Sequence, residues 1–204
     1  MSAELQVYVG GMVSTNGYVL KLGESCIVID APNGIYEHLQ SQGLKPDALL
    51  LTHQHYDHVE DAAQFSEAGV PIYSYAPYDE DLVLIKLAQR WGFDIEVAPY
   101  EVTTVLEGTD EIEVAGHPIR LSHVPGHSLD SVTFYFSEEG LLFSGDTLFQ
   151  GSIGRPDLPN GNQAQLLDGI KTKLFALPDE TDVLPGHGGN TSIGAEKATN
   201  PYLR

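Results

Sequence analysis

The sequence predicts a layered α/β protein in which two sheets are sandwiched between helices. Strand-like and helix-like apolar patterns alternate in both halves of the chain. Glycine, proline and aspartate punctuate these segments as turns should. At 204 residues, with 42% hydrophobic and 9% aromatic content, the chain can build one substantial core. A single domain spanning residues 1–204 is therefore expected.

The elements follow in order. Leu5 to Val9, Met12 to Leu20 and Ser25 to Asp30 read as strands, separated by Gly10-Gly11 and Gly23 in hairpin-like turns. Asn33 to Gln42 is a short helix ended by Gly43. Ala48 to Thr52 is an apolar run that suits a strand buried on both faces. His58 to Ala68 reads as a helix stopped by Gly69, and Val70 to Tyr75 as the next strand. Asp79 to Trp91 carries the clearest helical pattern, with Leu84, Leu87, Ala88 and Trp91 on one stripe that predicts core packing. Asp79, Glu80 and Asp81 crowd its start and Lys86 and Arg90 lie toward its end, the charge order a helix dipole favours.

Strand patterns return at Val102 to Leu106, Glu111 to Ala115, Ile119 to Val124, Val132 to Phe136 and Leu141 to Ser144. A Gly- and Pro-rich loop runs from Thr147 to Gly161. Asn162 can cap a helix reaching Phe175, with Leu167, Ile170 and Leu174 facing inward. Strand Asp182 to Leu184 and a short helix from Ile193 complete the pattern.

A formal net charge of -19, with only ten Lys and Arg, argues against a nucleic-acid partner, which would need clustered cations. The single cysteine, Cys26, excludes an intramolecular disulfide and lies in an apolar run as a core thiol would. No Lys or Arg precedes Lys21, and no stretch approaches the ~20 apolar residues of a membrane span, so no secretory signal and no membrane partner are expected. The expected location is the cytoplasm.

Chemistry concentrates at seven residues. Within His53-Gln54-His55-Tyr56-Asp57-His58 lie three imidazoles and a carboxylate. His127 follows Pro125-Gly126, Asp146 follows Ser144-Gly145, and His187 follows Pro185-Gly186. His53, His127, Asp146 and His187 each come just after a predicted strand, where α/β proteins gather their binding loops. In an extended stretch His53 and His55 point to the same side, while the adjacent Asp57 and His58 diverge and can serve a second metal. Imidazole and carboxylate together suit zinc, iron or manganese, and the pattern points to metal-assisted hydrolysis.

Among the other groups, His38 and His117 read as surface residues, and His123 as a neighbour of the site. Asp30 could orient a metal-bound imidazole or simply end its strand in a turn. Arg155 and Asp157 suit a structural ion pair, and Tyr56 could line the pocket.

These residues carry a resemblance to the metallo-β-lactamase superfamily. Thr52-His53-Gln54-His55-Tyr56-Asp57-His58 matches its central motif, and His127, Asp146 and His187 match the later ones in order. Its glyoxalase II-like branch is the most similar, through Ser144-Gly145-Asp146-Thr147-Leu148-Phe149, Gly151 to Asp157, and the ending from Thr191-Ser192-Ile193-Gly194 through Asn200-Pro201-Tyr202-Leu203. The resemblance implies a four-layer αββα sandwich; the sequence departs from the larger glyoxalase II enzymes in stopping at Arg204, so no C-terminal helical glutathione-binding domain is expected in residues 1–204. The resemblance also implies two divalent metal ions, most readily Zn2+. His53, His55 and His127 would hold the first and Asp57, His58 and His187 the second, with Asp146 bridging.

Asp57 and Asp146 thereby become the candidate catalytic carboxylates. The implied reaction is hydrolysis of a small-molecule thioester, hydroxyacylglutathione above all, by a metal-bridging hydroxide. Three rivals use the same residues. One is a mononuclear iron persulfide dioxygenase built on His53, His127 and Asp146; the others are a hydrolase of another ester or lactone and a non-catalytic metal-binding protein.

Overall fold

Strand β1 (Ala3–Gly10) pairs antiparallel with β2 (Thr15–Leu22), which pairs antiparallel with β3 (Ser25–Ile29). From β3 the direction is kept: β4 (Ala48–Leu50), β5 (Ile72–Ser74) and β6 (Thr104–Val105) each add in parallel, giving a six-stranded sheet in the order β1-β2-β3-β4-β5-β6. Parallel neighbours need crossovers. These are α1 (Ile35–Ser41), then α2 (Tyr56–Val59) with α3 (Ala62–Glu67), then α4 (Glu80–Val83) with α5 (Ile85–Arg90). Val28, Leu49, Leu51 and Ile72 of the strand layer pack with Ile35, Leu39, Phe65 and Ala88 of the helices, all buried, in the core of this unit. Cys26 belongs to that core, as its apolar run predicts.

The chain divides into two compact units, Met1–Glu107 and Gly108–Arg204, and the computed structural model describes residues 3–204. The second unit holds another six-stranded sheet, in the order β14-β13-β10-β9-β8-β7. Its strands are β7 (Glu111–Val114), β8 (His117–His123), β9 (Val132–Phe136), β10 (Leu141–Gly145), β13 (Asp182–Pro185) and β14 (Thr191–Ser192). A small hairpin, β11 (Leu148–Phe149) with β12 (Ser152–Ile153), lies in the stretch expected to be wholly loop. Helix α6 (Gln163–Gly169) continues into a π-helical turn (Ile170–Leu174), and α7 (Ile193–Thr199) follows β14. Leu166, Ile170, Leu174, Val183 and Ile193 are fully buried in this unit's core with Leu142 and Leu148. Two multi-stranded sheets with short helices fit the predicted α/β class.

Two predicted helices are each broken in two, for identifiable reasons. The stretch expected to be helical from His58 to Ala68 is interrupted at Asp61. Its backbone N–H donates to the Ala31 carbonyl (3.0 Å) and its carboxylate accepts from the Tyr36 N–H (2.9 Å), so the turn serves the start of α1 and not its own helix. The Asp79 to Trp91 helix breaks at Leu84, whose backbone is left-handed (φ 57). Five residues apart, Val83 and Ala88 would face different sides of a straight helix. With the break, both are buried, Leu84 and Leu87 are half-buried, and Trp91 is left 47% exposed. The expected apolar stripe therefore reaches the core through Ala88 alone. Among the described residues no helix is long and apolar enough to cross a membrane.

Candidate metal centre

Strand direction places the predicted donors in each unit. In the first, β3 and β4 run parallel, so Asp30 and the chain leaving β4 at Leu50 emerge from the same sheet edge. In the second, β8 and β10 are both antiparallel to β9, and β13 is parallel to β10. The carboxyl ends of all three therefore share an edge, and the loops to His127, Asp146 and His187 start there.

In the first unit His53, His55, Asp57 and His58 are brought together. All four are at most 7% exposed. His53 Nε2 lies 3.1 Å from His55 Nδ1, and the His53 and His58 ring centroids are 4.1 Å apart. His55 takes the N-cap position of α2, so the helix that starts there carries Asp57 and His58 in its single turn. Asp30 orients the group. Its Oδ2 accepts from His58 Nδ1 (2.8 Å) and Thr52 Oγ1 (2.8 Å), and its Oδ1 accepts from the Thr52 backbone N–H (2.8 Å). Asp30 itself sits in the left-handed region (φ 59), which bends the chain out of β3 and aims the carboxylate along the sheet edge.

These contacts fix the chemistry of His58. A carboxylate only accepts, so Nδ1 carries the proton and Nε2 presents its lone pair. That nitrogen lies 3.4 Å from Asp57 Oδ2, which accepts a 2.7 Å hydrogen bond from Thr15 Oγ1. A lone pair facing a carboxylate oxygen is repulsive unless a proton or cation lies between them. Two donors about 2.1 Å from one tetrahedral metal lie about 3.4 Å apart. The spacing is that of neighbouring ligands.

The second unit repeats the arrangement. His127 Nδ1 donates to the Arg155 carbonyl (3.0 Å), so Nε2 presents its lone pair, 3.4 Å from Asp146 Oδ2. His187 Nε2 lies 3.5 Å from the same oxygen. His127 and Asp146 are buried and the His187 side chain is 28% exposed. Gly154 makes this packing possible: a Cβ there would run into the Asp146 carbonyl and crowd the His127 side chain. Gly126, with φ +132, occupies a backbone conformation that glycine adopts readily, and a side chain there would meet the start of α6. Both clusters are donor sets of the kind that zinc, iron and manganese accept.

The remaining expectations divide. Asp30 is an orienting residue and not merely a strand terminator. Arg155 and Asp157 form the expected ion pair, bidentate at 2.8 and 2.9 Å, and the guanidinium holds the Asp157 carboxyl below its usual range. His123 Nε2 donates locally to the Leu129 carbonyl (2.7 Å). Tyr56 is 7% exposed and packs among the core residues of the first unit, and burial pushes its hydroxyl up to about 12. Sequence reasoning missed Thr15, the Arg155 carbonyl and Gln54. The buried Gln54 side chain donates to the Pro77 carbonyl (2.9 Å) and accepts from Tyr100 Oη (3.1 Å), tying the metal-motif loop to later segments. Glu60, just after α2, lines a hollow of about 370 Å³ with Asp94 and Glu96; burial pushes its carboxyl up to about 7.

The chain is 36% identical over 173 residues to the hydroxyacylglutathione hydrolase GloC of Haemophilus influenzae, covering 83% of this chain and 81% of the relative. The solved structure of BLEG-1 B3 metallo-beta-lactamase superposes with a TM-score of 0.89 at 32% identity, over 98% of this chain and 99% of the other. That of TTHA1623 in a di-iron-bound form gives 0.83 at 36% identity, over 97% and 100%. Residues 10–187 match the family described as the metallo-beta-lactamase superfamily, and the chain belongs to it.

Proposed function

We propose that the two donor clusters act as one binuclear centre and that the protein hydrolyses small thioesters, S-D-lactoylglutathione first among them. In this reading His53, His55 and His127 would hold one divalent cation and Asp57, His58 and His187 the other, with Asp146 available to both. The observation that carries it is donor spacing: ligand atoms within each cluster face one another at 3.1–3.5 Å. The remote nitrogens of His53, His58 and His127 are meanwhile engaged by Thr52, Asp30 and the Arg155 carbonyl. Membership of a superfamily of metallo-hydrolases and similarity to a protein named hydroxyacylglutathione hydrolase support the reaction class. The donor chemistry suits Zn2+ as it suits iron and manganese, and similarity to a di-iron-bound structure makes iron the metal to test beside zinc.

Bound there, two divalent cations would lower the pKa of water and polarise an acyl carbonyl. The chain's own residues prepare the place. Asp30 and the Arg155 carbonyl keep His58 and His127 in the tautomer whose Nε2 can ligate. Thr15 hydrogen-bonds one oxygen of Asp57 and so fixes its rotation. The two carboxylates, Asp57 and Asp146, balance part of the cations' charge and leave the centre attractive to an anionic substrate. A thiolate departs without strong protonation, so a thioester needs no separate general acid.

The partner is a small molecule and not nucleic acid, in keeping with the net charge of -19. A cytoplasmic location goes with this reading, because glutathione thioesters belong to a reducing compartment. The test is free-thiol release from S-D-lactoylglutathione by zinc-loaded protein before and after chelation. Chelator-sensitive release is expected. If none is seen, while iron-loaded protein consumes oxygen with a persulfide or zinc-loaded protein opens a β-lactam, the thioesterase reading is wrong.

A further inference from the structure

The sequence ending that resembles the glyoxalase II-like branch has no role in the metal clusters, yet two of its polar side chains are buried. Glu196 is 1% exposed and Asn200 is 0% exposed. Glu196 Oε2 accepts from the Gly151 backbone N–H (3.0 Å) and from Asn200 Nδ2 (2.7 Å), and its Oε1 accepts from Thr191 Oγ1 (2.6 Å). Asn200 Nδ2 also donates to the Ser152 carbonyl (2.9 Å), and its Oδ1 accepts from the Tyr202 N–H (3.0 Å). Gly151 and Ser152 belong to the β11–β12 hairpin. Helix α7 therefore grips that hairpin at two consecutive backbone positions, through side chains that are themselves held in place.

The hairpin forms one wall of a pocket of about 540 Å³ in the second unit. Phe149, Gln150, Ser152 and Ile153 line it beside His127, Asp146 and His187. Phe149 also stacks edge-on to the His187 ring, with centroids 6.2 Å apart. Gln150 is exposed and carries an amide into a wall that is otherwise mainly apolar. A two-residue-per-strand hairpin has little stability of its own, because so few ladder bonds offset its ordering entropy. Its shape must come from outside: Leu148 and Ile153 anchor its strands in the core, and the bonds to Gly151 and Ser152 hold its tip.

We propose that Glu196 and Asn200 are positioning residues that set the β11–β12 hairpin as the substrate-selecting wall of this pocket. Gln150 and Phe149 are the groups through which the wall meets the substrate. The proposal rests on the hydrolase reading for its kinetic part, but the grip on the hairpin is measurable without activity. A charged acceptor strengthens each of the three hydrogen bonds it receives. Replacing it with alanine takes this acceptor from the half-buried bonds of the Gly151 N–H and the Thr191 hydroxyl and from the buried bond of the Asn200 amide.

The experiment compares wild type, Glu196→Ala and Glu196→Gln as zinc-loaded proteins, by hydrogen exchange of the hairpin amides and by steady-state kinetics with S-D-lactoylglutathione. In Glu196→Ala the hairpin amides should exchange about tenfold faster, since loss of a buried acceptor costs about a tenfold shift in the local opening equilibrium. KM should rise about tenfold while kcat stays within about twofold and zinc content is unchanged. Glu196→Gln, which keeps an acceptor for Gly151 and Asn200, should recover most of both effects.

Unchanged exchange in Glu196→Ala, or a fall in kcat at constant KM, overturns the proposal. Should Glu196→Ala fail to fold, the exposed Gln150→Ala variant decides: a raised KM upholds the wall, and an unaltered KM removes it. If the wild type hydrolyses no thioester, the functional reading fails, and the exchange result alone judges the grip.

Discussion

Asp30 shows how much of the site is decided by a single side chain. It receives three 2.8 Å hydrogen bonds, two from Thr52 and one from the His58 ring. Removing it frees that ring to rotate and to change tautomer. Asp30→Ala is expected to weaken metal affinity about 10–100-fold, as loss of an orienting partner of a ligating histidine does. Competition against a chromogenic chelator measures this, and an unaltered affinity would count against the orienting role.

Glu60 gives a prediction of opposite kind. Burial raises its carboxyl from 4.5 to about 7, so between those values the folded chain holds a proton that the unfolded chain releases. The stability this contributes is present below pH 4.5 and is lost as pH rises through 7. In metal-free protein, Glu60→Gln should therefore raise the melting temperature more at pH 8 than at pH 5. Equal shifts at both pH values would show that the group is not desolvated in solution. The seven candidate donors were legible in the sequence because four cluster in one six-residue run, His53 to His58, and the other three, His127, Asp146 and His187, each follow a glycine just beyond an apolar run. Thr15 and the Arg155 carbonyl were not: Thr15 lies 42 residues from Asp57 in sequence, and a backbone oxygen leaves no mark in a residue pattern.

At the scale of elements, strand periodicity was a better guide than helix periodicity. Val132–Phe136 has the predicted bounds, because a fully buried strand is an unbroken apolar run between turn residues. The helices were legible in place but not in continuity. Asp61 and Leu84 interrupt two of them for reasons of tertiary packing that no local pattern records.

The β7–β8 hairpin offers a clean test of local conformation. Val114 pairs with His117 across a two-residue turn, Ala115-Gly116, in which both residues have positive φ (51 and 82). Alanine is strained there and asparagine is favoured. Ala115→Asn should stabilise the protein by about 0.5–1 kcal/mol in urea denaturation. A destabilised variant would mean that the turn is not of this type. Likewise Asn162, whose side chain accepts from the Gln165 N–H at 3.1 Å, caps α6, and Asn162→Ala should cost about 1 kcal/mol. No loss of stability would show that cap to be idle.

At the scale of the whole molecule, the α/β class was legible from alternating patterns, and superfamily membership from the spacing of the donor motifs. The β11–β12 hairpin that lines the pocket was not, because it lies in a stretch whose Gly- and Pro-rich composition reads simply as loop. The binuclear reading makes a demand on the molecule as a unit: it requires two cations per chain, since seven donors are too many for one tetrahedral ion. The most direct measurement is a calorimetric titration of chelator-stripped protein with Zn2+, followed in parallel by thiol release from S-D-lactoylglutathione. The account predicts two equivalents bound per chain, with hydrolysis reaching its maximum only as the second is taken up. Saturation and full activity at one equivalent would contradict it.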